Sequence, residues 1–181
     1  MAKAAVFLRA INVGGRKLLM ADFKAALAKA GFKGVQTIGA AGTAVVEAEA
    51  AAPKLEAEIE AILAKACGMA IDVFVRDHAA MAAVVAGNPY AQQVKDQPAF
   101  VAVSFLKGHA GTAEVGAIRE KIAGFGGPEQ VEAGPACLYF SYPEGQGQSK
   151  LTSVVIERAT RLRGTVRNWN TVTKMAALTA G

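Results

Sequence analysis

Apolar residues recur along this chain with two alternating periods, near 2 and near 3.6, which separate strands from helices. Ala4–Val13 is apolar on both faces apart from Arg9 and predicts a strand, ended by Gly14-Gly15. Met20, Phe23, Leu27 and Ala30 then follow helical spacing, and Gly31 closes that helix. Val35–Ile38 and Thr43–Ala48 predict two short strands around a Gly-containing turn. Leu55, Ile59, Ile62, Leu63 and Ala66 form the stripe of a second helix between Pro53 and Gly68, and Ala70–Arg76 predicts a further strand. The order is β-α-β-β-α-β.

Asp77 can cap a short helix over His78–Ala86, which Asn88-Pro89-Tyr90 breaks. Residues 91–98 are polar and end in Pro98, so the linker is placed there. The pattern then repeats. Phe100–Leu106 predicts a strand, and Val115, Ile118 and Ile122 mark a helix. Gln130–Glu132 and Ala136–Tyr142 predict strands around Gly134-Pro135. Leu151, Val154, Val155, Ala159 and Leu162 mark another helix with Ser149 as its cap, and Gly164–Asn168 predicts a last strand. A terminal helix over Thr171–Thr179 follows, with Asn170 as its cap.

Two consecutive β-α-β-β-α-β units predict an α+β fold of tandem ferredoxin-like modules, with an extra linker helix and a C-terminal helix. The expected domains are 1–90, the first module plus linker helix, and 98–181, the second module plus C-terminal helix. The repeat is one of pattern, an internal duplication without evident residue identity between the halves. Each module would carry helices on one face of an antiparallel sheet. The first strand of each half is apolar on both faces, so the open sheet faces are expected to be partly covered.

Composition narrows the class. The chain has 181 residues, 52% hydrophobic and 19% charged, which is a globular balance. A net charge of +5 permits an anionic partner such as a nucleotide, nucleic acid or acidic metabolite without requiring one. Cys67 and Cys137 stand in unrelated contexts without metal-ligand neighbours, and His78 and His109 are the only histidines, so no metal site is expected. The short apolar run at the N-terminus is broken by Arg9, and no run is long enough to cross a membrane. A cytoplasmic protein with no membrane partner is expected.

Two stretches are dense in directional hydrogen-bonding groups. Gly145-Gln-Gly-Gln-Ser149-Lys150 precedes a helix, where glycines allow close backbone approach and a helix start offers free N–H donors. The spacing is not that of a phosphate-binding Walker loop. Thr165–Lys174 holds the only Trp, with Arg167, Asn168, Asn170 and Lys174 around it. Arg167 can hold a carboxylate or phosphate through two bonds, while Asn168 and Trp169 can line a wall. A third cluster is Arg9 with Asn12, Gly14 and Gly15, followed by Arg16 and Lys17. An Arg on so apolar a strand needs a partner. Each cluster also has a purely structural reading, as a cap, a turn or a packing anchor. Phe140 and Tyr142 invite comparison with sheet aromatics that stack on RNA, but the matching signature is absent and they are read as core.

Leu8-Arg-Ala-Ile-Asn-Val-Gly-Gly15, Asn88-Pro89-Tyr90, Gly145-Gln-Gly-Gln-Ser-Lys-Leu151 and Arg167-Asn-Trp-Asn-Thr-Val172, in this order and spacing, resemble the DUF1697 family of bacterial proteins of unknown function. The resemblance covers essentially the whole chain and implies an α+β fold with ferredoxin-like modules. It implies no activity, cofactor or catalytic residue. The family-typical positions are Arg9, Asn12, Gly14, Gly15, Ser149, Lys150, Arg167, Asn168, Trp169, Asn170 and Lys174. One departure is Ala40-Ala-Gly-Thr43, where the family usually has Gln-Ser-Gly-Asn.

Three functions remain open. The first is a module that binds a small anion, nucleotide or nucleic acid through the family-typical positions as ligand-binding residues. The second is an enzyme acting on a phosphorylated or carboxylated metabolite, for which only Ser149 or Lys150 is at hand. No acid/base pair can be nominated and no cofactor is indicated. The third is a structural or protein–protein interaction module, which deep burial of Arg167 and Trp169 would favour. Oligomeric state is not readable from the chain.

Overall fold

The computed structural model describes residues 1–12 and 14–181. The chain divides into two compact units, Met1–Met81 with Met175–Gly181, and Ala82–Lys174. The first holds β1 (Lys3–Leu8), α1 (Met20–Lys29), β2 (Lys33–Ile38), β3 (Thr43–Glu47), α2 (Ala52–Cys67) and β4 (Val73–Asp77). Its strands form one antiparallel sheet in the order β2-β3-β1-β4. α3 (His78–Ala86) follows β4, and α4 (Ala91–Asp96) leads to the second unit's β5 (Val101–Leu106). α5 (Thr112–Phe125), β6 (Gln130–Gly134), β7 (Cys137–Ser141), α6 (Ser153–Thr160), β8 (Gly164–Asn168) and α7 (Trp169–Thr179) complete the chain. The second sheet is also antiparallel, in the order β6-β7-β5-β8.

In each unit two helices pack on one face of the sheet. In the first unit Ala4, Val6, Leu8, Val73 and Val75 share a core with Phe23 and Leu27 of α1 and Leu55, Ile59 and Leu63 of α2. In the second, Ala102, Leu106, Leu138 and Phe140 pack with Val115, Ile118 and Ile122 of α5 and Ile156 of α6. Phe140 and Tyr142 lie in that core, stacked with ring centroids 5.9 Å apart, so they present no platform to a nucleic-acid base. The alternate residues of the strands, Ala5, Phe7, Val45 and Phe74 in one sheet and Val101, Val103, Phe105 and Tyr139 in the other, are buried as well. This is why the central strands are apolar on both faces.

The edge of the first sheet is closed by side chains. The backbone N–H groups of Val73 and Val75 donate to Glu60 Oε1 and Glu56 Oε1, both at 2.9 Å. Four residues apart on α2, the two glutamates lie on one helix face and meet alternate N–H groups of β4. At the turn between β2 and β3, Gly42 has φ +76° and its carbonyl accepts from Leu8 N at 2.7 Å. A Cβ there would lie 2.7 Å from Leu8 Cβ, so glycine is required even where the rest of the turn departs from the family pattern.

Several expectations need correction. β1 ends at Leu8, so Arg9 stands in the bend after the strand. The predicted last residue of that strand, Val13, lies outside the described residues. Residues 91–98, expected as a linker, contain α4 and the start of a 3-10 turn over Pro98–Phe100. α6 is capped by Thr152, whose Oγ1 accepts from Val155 N at 3.4 Å, and not by Ser149. α7 begins at Trp169 and is capped by Asn168, whose Oδ1 accepts from Thr171 N at 3.0 Å, and not by Asn170.

Candidate functional site

In the first unit the predicted binding residues are engaged in the fold. Arg9 Nη1 pairs with Asp72 at 3.3 Å, with a quarter of each side chain exposed. Asn12, at φ +59°, donates from Nδ2 to Ala40 O at 3.2 Å and accepts from Leu18 N at 3.1 Å, so it ties the turn after β1 to the β2–β3 turn. Gly14 and Gly15 are exposed at φ +57° and +81°, with open space where side chains would stand.

In the second unit the predicted residues divide between buried and exposed positions. Arg167 is buried on the face away from α5 and α6, in register with Val103. Its Nη1 donates to Thr165 Oγ1 at 2.7 Å and to Val166 O at 2.9 Å. Burial lowers the guanidinium pKa to about 10, and the group stays charged at neutral pH. Trp169 is buried on α7, in a stripe with Val172, Met175 and Thr179. Asn168, Asn170 and Lys174 are exposed on the same segment. Lys150 is exposed too, but it follows Ser149 and precedes Leu151, which packs into the helix-side core. Lys150 and Arg167 thus differ in exposure, the first open to solvent and the second buried. Without a helix start at Ser149, the anion cradle expected there has no dipole behind it.

Ser149 has another role. Its Oγ accepts from Leu151 N at 3.0 Å and donates to Glu129 Oε1. Glu129 lines a cleft of about 520 Å³ in the second unit, between the α5–β6 corner and Tyr90. The walls combine Ile122, Ala123 and Val131 with Tyr90, Arg119, Glu129, Gln130 and Glu132. Asn88 places Tyr90, since its Oδ1 accepts from Tyr90 N at 3.0 Å across Pro89. Two of the motifs noted in the sequence, Asn88-Pro89-Tyr90 and Ser149-Lys150-Leu151, thus converge on one place.

The electrostatics of the cleft are uneven. Arg119 Nη2 donates to Glu132 Oε1 at 2.6 Å and to Val131 O at 3.2 Å, an exposed pair at the rim. Glu129 Oε2 and Tyr90 Oη are shut off from solvent and have no hydrogen-bond partner among the described residues. Gly127 makes room for the carboxylate, because a Cβ at that position would overlap Glu129 Oε2. Burial, with the Glu132 carboxylate adding and Arg119 opposing, pushes the Tyr90 phenol well above its ordinary pKa, so it stays protonated. Tyr142 is pushed up as well, by burial first and then by Glu129. Sequence reasoning missed Arg119, Glu129 and Glu132 and read Tyr90 as part of a helix breaker and of a family-typical motif, not as a site residue. The available signal was an aromatic residue held in an Asn-Pro turn. The charged residues of the cleft carry no local motif.

The family model described as "Protein of unknown function (DUF1697)" matches residues 1–139. That range includes Tyr90, Arg119, Glu129 and Glu132, while Ser149 and Thr165–Lys174 lie beyond it. The fold is similar to that of the conserved bacterial protein SP0830 from Streptococcus pneumoniae, with a TM-score of 0.72 at 18% identity over 98% of each chain. A crystal structure of an unknown protein from Galdieria sulphuraria, 15% identical, covers 92% of this chain and 98% of that one at a TM-score of 0.27, too low to support a likeness of fold. No curated protein matches.

Proposed function

The chain belongs to the DUF1697 family, and from the cleft in its second unit we propose that it is a binding module for a small polar molecule. The observation that carries this is the pair of solvent-shielded oxygens, Tyr90 Oη and Glu129 Oε2, that lack partners among the described residues and belong to residues of the cleft wall. A buried polar group left unpaired costs about 1–3 kcal/mol, and folded proteins leave few of them. A ligand that supplies the missing hydrogen bonds recovers that cost on binding. Both oxygens are shielded, so binding includes a small side-chain adjustment at the wall.

The cleft's charge favours a different ligand from the anion expected from composition. Glu129 and Glu132 outnumber Arg119 there. An anion or nucleic acid has its support elsewhere, in the net charge of +5 and the exposed Lys150, Lys174, Gly14 and Gly15. Buried Arg167 and Trp169 support a structural role for the Thr165–Lys174 stretch. The element and strand orders support reading each unit as a ferredoxin-like module and the pair as an internal duplication.

The test is a screen of metabolite-sized compounds against the isotope-labelled protein, followed by amide NMR shifts. The expected result is a set of hits that move the resonances of Tyr90, Gln130 and Val131. Hits that move only Gly14, Gly15 or Lys150, and only with phosphates, nucleotides or short RNA, would replace the cleft reading with the anion-binding one.

A further inference from the structure

We propose that the cleft of the second unit selects a small organic cation, an ammonium or guanidinium group on a short apolar body. The inference rests on the cleft being a binding site, as argued above, and adds the chemical class of the ligand. As a carboxylate Glu129 is acceptor-only, so its Oε2, without a partner among the described residues, calls for a donor. Its other oxygen is met by the neutral hydroxyl of Ser149, which leaves the carboxylate charge without a cation among the described residues. Among the described residues the wall has one cation, Arg119, and it is occupied by Glu132 and the Val131 carbonyl.

The remaining groups set the rest of the ligand. Tyr90 keeps its phenolic proton and offers either a hydrogen bond or its ring face to a cation. Ile122 and Val131 give the wall apolar surface that favours a hydrocarbon body. A bare metal ion fits less well, because hard divalent cations need about six oxygen ligands and the shielded oxygens here are one carboxylate oxygen and a phenol. An anion meets the wrong sign of charge. The ligand is therefore recognised by a charge-assisted hydrogen bond to Glu129, with Tyr90 closing over the cationic end.

The experiment compares three probes of one shape on the full chain: butylammonium, butanol and butyrate. Butylammonium is expected to move the Tyr90 and Gln130 resonances at concentrations about tenfold below butanol, with butyrate silent. Glu129→Gln keeps an oxygen for Ser149 and is expected to weaken butylammonium about tenfold. If that variant fails to fold, Gly127→Ala displaces the carboxylate without removing it and is expected to weaken the same probe. Butyrate or butanol binding in the cleft as tightly as butylammonium would overturn the cation inference and leave the cleft as a binding site. Silence of the cleft resonances with all three probes and with the metabolite screen would overturn both.

Discussion

From Thr165 to Lys174, the buried polar groups are tied to the segment that carries them. Arg167 bonds to Thr165 and to the Val166 carbonyl, and Asn168 caps the helix that Trp169 begins. Around the cleft the same kinds of group are arranged differently. Tyr90, Arg119, Glu129 and Glu132 come from three separate places in the chain, and two of their oxygens are shielded without a partner among the described residues. The first region is rich in polar groups because the β8–α7 junction needs them to fold. The second retains two shielded oxygens that have no partner among the described residues. Density of hydrogen-bonding residues therefore marks a construction point here, and shielded oxygens without a partner among the described residues mark the candidate site. The β4–α3 junction supports the first half of this statement. There Val75-Arg76-Asp77 repeats Val166-Arg167-Asn168, with Arg76 Nη1 donating to Val75 O at 2.7 Å and Asp77 Oδ1 accepting from Ala80 N at 2.8 Å.

If the Thr165–Lys174 segment is structural, its substitutions must act on stability. The largest effect is expected for Trp169→Ala, about 3–5 kcal/mol in chemical denaturation, from lost burial plus a cavity. Arg167→Ala removes the donor to Thr165 and Val166 and a buried stem, and about 2–4 kcal/mol is expected. A stable Trp169→Ala or Arg167→Ala protein that loses ligand binding would reverse the comparison and return this segment to the functional side. Next come the caps. Asn168→Ala and Asp77→Ala are each expected to cost about 1 kcal/mol, while Asn170→Ala stays within about 0.5 kcal/mol. Equal losses for Asn168→Ala and Asn170→Ala would contradict the cap geometry.

The same contrast explains what was legible in the sequence. The order of strands and helices was readable because burial imposes a period on each element, and Leu55, Ile59 and Leu63 or Val115, Ile118 and Ile122 carry it plainly. α4 was not, since Ala91–Asp96 has no buried residue and so no apolar stripe. The caps were misplaced by two or three residues because Ser149 and Thr152, or Asn168 and Asn170, have equivalent side chains. Only the backbone decides which of them stands at the helix start. The cleft was invisible for a different reason. Its residues approach one another through the packing of α5, β6 and the Tyr90 turn, and none is unusual in its own neighbourhood of sequence.

The smallest stability effect is the most discriminating. Tyr90→Phe deletes an oxygen that has no hydrogen-bond partner among the described residues and keeps the ring. In an ordinary tyrosine with a satisfied hydroxyl, the change would cost about 1 kcal/mol. Here it relieves a buried, unpaired group, so stability is expected to be unchanged or slightly raised in thermal or urea unfolding. Butylammonium binding is expected to weaken in the same variant. A clear loss of stability would mean that the hydroxyl has a partner in the folded chain, and the cleft would lose one of the two groups that distinguish it from the β8–α7 junction. A stable variant with weakened binding would place Tyr90 among groups kept for a ligand, in contrast to Asn168, whose removal acts on the fold.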